Sequence, residues 1–108
     1  MTRSFRLTRR AEVSLVGTAD WTYEQFGPRQ AEIYAAEVIA RCEGIARGEV
    51  ASRSCAVLVT SAADLRYARA GEHFVVFLDR PDQVIVVDFL HGRSDLPRQI
   101  AALTALRD

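Results

Sequence analysis

Glu49, Arg66, Arg69 and His91 are the residues of this chain whose types could together cleave RNA. Such a reaction needs a base to take the 2′-hydroxyl proton, a cation to steady the phosphate and an acid to protonate the leaving oxygen, so Glu49, Arg69 and His91 form the candidate catalytic set. Three features oppose it. Glu49 lies in a stretch without clear periodicity. Arg66 and Arg69 are three apart on a strand-like segment, so they point to opposite faces. The formal net charge is zero, unlike a protein whose main task is gripping nucleic acid, so no direct sequence-specific nucleic-acid binding is expected.

The same groups suit recognition of a protein. Arg66, Arg69, His91 and Arg93 on rigid strands would offer contacts to a charged target at little entropic cost. Alternation allows only one of Arg66 and Arg69 to join His91 and Arg93. A purely structural reading stands beside this: His91 hydrogen-bonds to its own turn and Arg93 pairs with Asp95. His73 reads as a strand-start residue, and Trp21 and Tyr34, on helical stripes, read as core.

Other chemistries lack their signatures. Cys42 and Cys55 have neither CxxC spacing nor clustered histidines, so they read as reduced packing residues, and no metal site or cofactor is expected. No nucleophile elbow or phosphate-cradling glycine loop is present. Met1 to Arg10 carries four arginines without an apolar run behind them, and no stretch reaches the about eighteen apolar residues of a membrane span. A cytoplasmic protein with one domain over residues 1–108 is expected. All fourteen basic residues are arginine, which adds only weakly to the recognition reading.

Periodicity gives the secondary structure that carries these residues. Ser4 to Leu7 alternates as an edge strand. Thr8 is a helix N-cap, and Ala11, Leu15, Ala19, Trp21, Thr22 and Phe26 recur near a 3.6 period. Gly27-Pro28 ends this helix and starts the next, forcing an antiparallel hairpin, whose second helix carries Ala31, Tyr34, Ala35, Val38, Cys42, Ile45 and Ala46 as its stripe and stops at Gly48. Glu49 to Ala63 reads as loop or a short extra strand. Leu65 to Ala70, His73 to Asp79 and Val84 to Leu90 are strands joined by a type II′ turn at Gly71-Glu72 and a turn at Arg80 to Gln83. Leu96 to Leu106 is compatible with a short C-terminal helix bearing Ile100, Leu103 and Leu106 on one side. The fold class is α+β: a two-layer sandwich of strand, helical hairpin and three-stranded antiparallel meander.

The last two strands are apolar on both alternations, whereas a sheet covered on one side alternates with polar residues. One helical hairpin covers one face. The set Phe74, Val76, Leu78, Ile85, Val87 and Phe89 is therefore left either for the C-terminal helix or for a partner.

Four blocks resemble ParE toxins of the RelE/ParE superfamily: Leu7 to Glu12, Phe26 to Ala31, Leu65 to Phe77 and Leu90 to Pro97, in the family's order and at about its spacing. The resemblance implies the fold just described, a ParD-type antitoxin that wraps the toxin's apolar surface as a hetero-oligomer, and DNA gyrase as the target. The RelE branch of the same fold instead cuts messenger RNA in the ribosome, and a toxin that has lost its activity is a third reading. Ala56 to Ala63 departs from the family's more polar, Pro-Gly-containing loop. A gyrase poison needs no catalysis, since preferential binding to one state of an enzyme suffices to hold it there.

Overall fold

The computed structural model describes residues 3–105. The chain runs β1 (Ser4–Leu7), α1 (Arg9–Phe26), α2 (Pro28–Ala46), β2 (Arg53–Ser54), β3 (Leu65–Ala70), β4 (His73–Asp79), β5 (Gln83–His91) and α3 (Leu96–Ala105). Two 3₁₀ turns, Cys55–Val57 and Thr60–Ala62, lie between β2 and β3. The order across the sheet is β1-β5-β4-β3-β2. The expected meander is thus the middle of a five-stranded sheet, with β1 added parallel to β5 and β2 antiparallel to β3.

Local chemistry explains the joints. The Thr8 hydroxyl accepts the Ala11 N–H (3.1 Å) and donates to the Val87 carbonyl (2.8 Å), so one side chain caps α1 and ties it to β5. Gly27 adopts φ 89°, and its N–H closes α1 on the Tyr23 carbonyl at 2.8 Å. Pro28 then opens α2. At the β3–β4 hairpin Gly71 has φ 61° and no described non-glycine residue has positive φ, the combination a type II′ turn requires.

The helical hairpin covers one face of the sheet. Ala11, Val38, Cys42, Ile45 and Ala46 pack on Ala68, Ala70, Val75, Phe77, Val84, Val86 and Phe89. The opposite face is covered by the chain itself over part of its area: Ile100 and Leu103 of α3, with Cys55 and Ala62 of the 3₁₀ turns, bury Leu65, Val76 and Leu90. Both cysteines are free and buried. Burial pushes the Cys42 thiol up to about 12 and the Cys55 thiol to about 11, as suits inert packing groups.

One feature of β5 defeats simple alternation. Val76 pairs with Asp88 but Phe77 pairs with Val86, leaving Val87 as an extra residue in the ladder. Asp88 and Phe89 consequently both turn to the helical side. Asp88 accepts the Ser14 hydroxyl (2.5 Å), the Arg10 Nε–H (3.0 Å) and its neighbour's N–H at Phe89 (2.8 Å). The expectation that Phe89 shares a face with Ile85 and Val87 is therefore corrected: it packs beneath the helical hairpin. Leu106 lies outside the described residues.

A cleft of aromatics and histidines between the first helix and the sheet

The bulge carries His91 to the helical face, where it meets His73 from β4. The two imidazoles stand edge to face with centroids 5.0 Å apart. Tyr34, from α2, reaches across the Gly71-Glu72 turn: its hydroxyl lies 2.6 Å from Nδ1 of His73, 3.2 Å from the Ala70 carbonyl, and accepts the Glu72 N–H at 2.9 Å. A side chain at position 71 would place Cβ 2.6 Å from Cε1 of Tyr34. Glycine there serves both the turn and the tyrosine's approach.

A phenol has one proton, and Tyr34 donates it to the Ala70 carbonyl. With Nδ1–H of His73 donated to the phenol oxygen, Nε2 accepts the Thr18 hydroxyl at 3.3 Å, the tautomer that satisfies every one of these contacts. Burial holds His73 below the usual imidazole value, and neighbouring His91 adds to this while Glu72 opposes it. Burial likewise raises the Tyr34 phenol, against the Glu72 N–H it accepts. His73 is a positioned ring with both nitrogens engaged. His91 differs: its Nδ1 accepts the Arg93 N–H at 3.0 Å, and Nε2 has no partner among the described residues.

Trp21 closes the group, edge-on to His91 at 6.4 Å and to Phe26 at 6.0 Å. The expectation that Trp21 is core is corrected, for it is 47% exposed and Phe26 is 63% exposed. Thr18 and Thr22 rather than Trp21 follow the inward stripe. Tyr34 is half-buried and bonded rather than merely packed. Two adjoining recesses share Trp21 and His73. One, of about 200 Å³, is lined mainly by Trp21, Phe26, Tyr34 and Glu72. The other, of about 450 Å³, is lined by Ser14, Gly17, Thr18, His91 and Arg93.

The four candidate recognition residues do not gather. His91 and Arg93 share this cleft. Arg66 is pinned at the far end of β3, donating from Nε to the Ser52 hydroxyl (2.8 Å) and from Nη2 to the Ser52 carbonyl (3.0 Å). Arg69 lies on the opposite face, its guanidinium 5.5 Å from the centre of the Phe74 ring, with Nε–H donated to the Gly71 carbonyl. Glu49 pairs with Arg47 at 3.1 Å on the surface. The candidate catalytic set Glu49, Arg69 and His91 is thus divided among three places. His91 does bond to its own turn, but Asp95 lies beside Arg98 rather than Arg93.

Of the apolar set assigned to a partner, Val76 is fully buried and Ile85 is 7% exposed. Phe74, Leu78 and Val87 remain half-buried. The cleft itself escaped sequence reasoning: His73, Trp21 and Tyr34 were each visible, but only the bulge brings His91 to them.

A helical hairpin on one face of a five-stranded mixed sheet, with a short helix on the other, defines an α+β architecture. Residues 5–96 match the family model described as the ParE toxin of the type II toxin-antitoxin system parDE. The chain belongs to that family and is a type II toxin by kind. Its fold is similar to that of a solved chain from the chromosomal ParDE toxin-antitoxin system of P. aeruginosa, with a TM-score of 0.67 at 12% identity, covering 83% of this chain and 96% of that one. No curated protein sequence matches significantly.

Proposed function

We propose that this toxin acts in the cytoplasm by binding DNA gyrase and is neutralised by a ParD-type antitoxin in a hetero-oligomer. The observation that carries the binding reading is the separation of Glu49, Arg69 and His91, which leaves them without a shared point where a phosphate could sit. Gyrase as the target rests on the ParE resemblance, and the family match supports the antitoxin. Among the described residues no helix is long and apolar enough to cross a membrane.

His91 and Arg93 are the target-facing pair in this reading. Arg66 serves the fold, and Arg69 belongs to the opposite face. There Phe74, Leu78 and Val87 are the remaining antitoxin contacts, beside Leu58, Val59 and Leu96 at the margin of the second core. Val76 and Ile85 support them from within, while Phe89, under the helical hairpin, leaves this set.

The purified chain should be assayed for inhibition of gyrase supercoiling and, side by side, for ribosome-dependent messenger RNA cleavage. Loss of supercoiling with intact RNA is expected. Ribosome-dependent cuts with supercoiling untouched would move the chain to the RelE type of activity, and a chain inert in both assays and harmless to growth would be a binding domain without toxicity.

A further inference from the structure

The cleft between α1 and the sheet has the build of an anchor site. Trp21 and Phe26 are large, rigid and exposed, and they stand over a floor of Thr22, Tyr34 and His73 that is fixed by hydrogen bonds. Residue types and setting match those that dominate interface energetics. Beside this apolar recess lies a polar shelf with a distinct donor pattern. The hydroxyls of Ser14 and Thr18 are committed to Asp88 and His73. The remaining donors are the exposed Arg93 guanidinium and Nε2 of His91, with Nε2 protonated because Nδ1 accepts the Arg93 N–H. Two such donors suit a carboxylate. Glu72 lines the other end, so the cleft has an acidic and a basic end and fixes the direction of an occupant.

Gly17 is a separate observation. It sits inside α1, where glycine costs about 1 kcal/mol against alanine, yet a Cβ added there would meet nothing within 4 Å. Its own fold gives no reason for glycine at that position. It lines the shelf, where the missing side chain leaves room for another backbone.

We propose that this cleft docks a segment of the antitoxin polypeptide in which a bulky apolar side chain stands next to an acidic one. The apolar side chain fills the recess between Trp21, Phe26 and Tyr34, and the carboxylate is held by Arg93 and His91 while the backbone passes over Gly17. This rests on the antitoxin reading above, names the chemistry of its anchor, and has the antitoxin cover the target-facing pair His91 and Arg93, so that antitoxin and target compete for one surface. The site is continuous with the opposite face: a Cβ at Gly92 would lie 3.6 Å from Cε2 of Phe74. A segment leaving Phe74 thus turns round the end of the sheet into the cleft. Zero net charge favours a polypeptide over a nucleic acid here.

Trp21 is the only tryptophan of the chain, so the site carries its own reporter. The full chain, labelled with 5-fluorotryptophan, should be combined with the antitoxin candidate encoded beside its gene and followed by fluorine NMR, with affinities measured for wild type, Phe26→Ala, Arg93→Glu and Gly17→Leu. These positions are exposed, and leucine is a good helix former, so circular dichroism should show all three variants folded. The expected result is a shifted, solvent-shielded Trp21 resonance and about tenfold or greater loss of affinity in each variant, the size typical of interface anchors. A complex that leaves the Trp21 resonance unmoved and binds all three variants like wild type overturns the anchor while the antitoxin reading stands. Absence of any complex removes both. A Trp21 shift produced by AMP or inorganic phosphate, and not by the partner, makes this a nucleotide or phosphate site and overturns the proposal.

Discussion

The Tyr34 hydroxyl lies 2.6 Å from Nδ1 of His73 while accepting the Glu72 N–H at 2.9 Å, so one phenol oxygen joins α2 to the first two residues after Gly71. Tyr34→Phe keeps the ring and removes three contacts at once. Stability to urea should fall by about 1–3 kcal/mol, the usual cost of stranding partly buried partners. Nitrogen NMR of His73 should show its tautomer preference weakened.

His73 also makes stability depend on pH. Its folded value is depressed from 6.5 by burial, with His91 contributing. The unfolded chain therefore binds the proton more readily than the folded one. Stability from this group is complete above about pH 6.5 and declines as pH falls from there through the folded value. Thermal melts from pH 8 to 5 should show that decline, and His73→Gln should lose this part of it.

Gly71→Ala combines a strained φ of 61° with a Cβ placed 2.6 Å from Tyr34. The loss should exceed the about 1 kcal/mol at which glycine replacements usually matter. A melting temperature equal to wild type would show that Tyr34 can withdraw from the turn.

Asp88→Ala strips the buried end of the Arg10 pair and the acceptor of Ser14. Hydrogen bonds to a charged group each contribute about 1.5–3 kcal/mol, so unfolding by denaturant should shift by at least that amount. His91 chemical shifts should move as well, because Asp88 also holds the Phe89 N–H within the bulge that aims His91.

Arg66 and Arg93 should fail differently. Arg66→Ala removes both bonds to Ser52 and should lower stability by about 1 kcal/mol, with toxicity following the folded fraction. Arg93→Ala should leave the melting temperature unchanged and reduce toxicity. Growth assays paired with melts on the purified variants distinguish the two.

Features set by neighbours in the chain were legible from the residues themselves. Ser4–Leu7 alternates, Thr8 caps, Gly27-Pro28 ends one helix and begins another, and Gly71-Glu72 selects its turn, because each depends on φ, ψ and side-chain reach over a few residues. The blocks shared with ParE toxins likewise lie in the order of residues. Partner identity and target rest on that family likeness.

Which side chains meet depends on contacts between distant parts of the chain. The alternation of β5, read as unbroken, puts His91 with Ile85, Val87 and Phe89. One extra residue in the ladder at Val87 reverses the phase, sending Phe89 under the helices and His91 against His73. Trp21 sits at the margin of its helical stripe, and whether that margin is core or surface depends on how closely α1 lies on the sheet. The second apolar face was similarly open until α3 folded across Val76 and Leu90. Pairing register and helix docking are settled by contacts between residues far apart in sequence, and no local propensity encodes them.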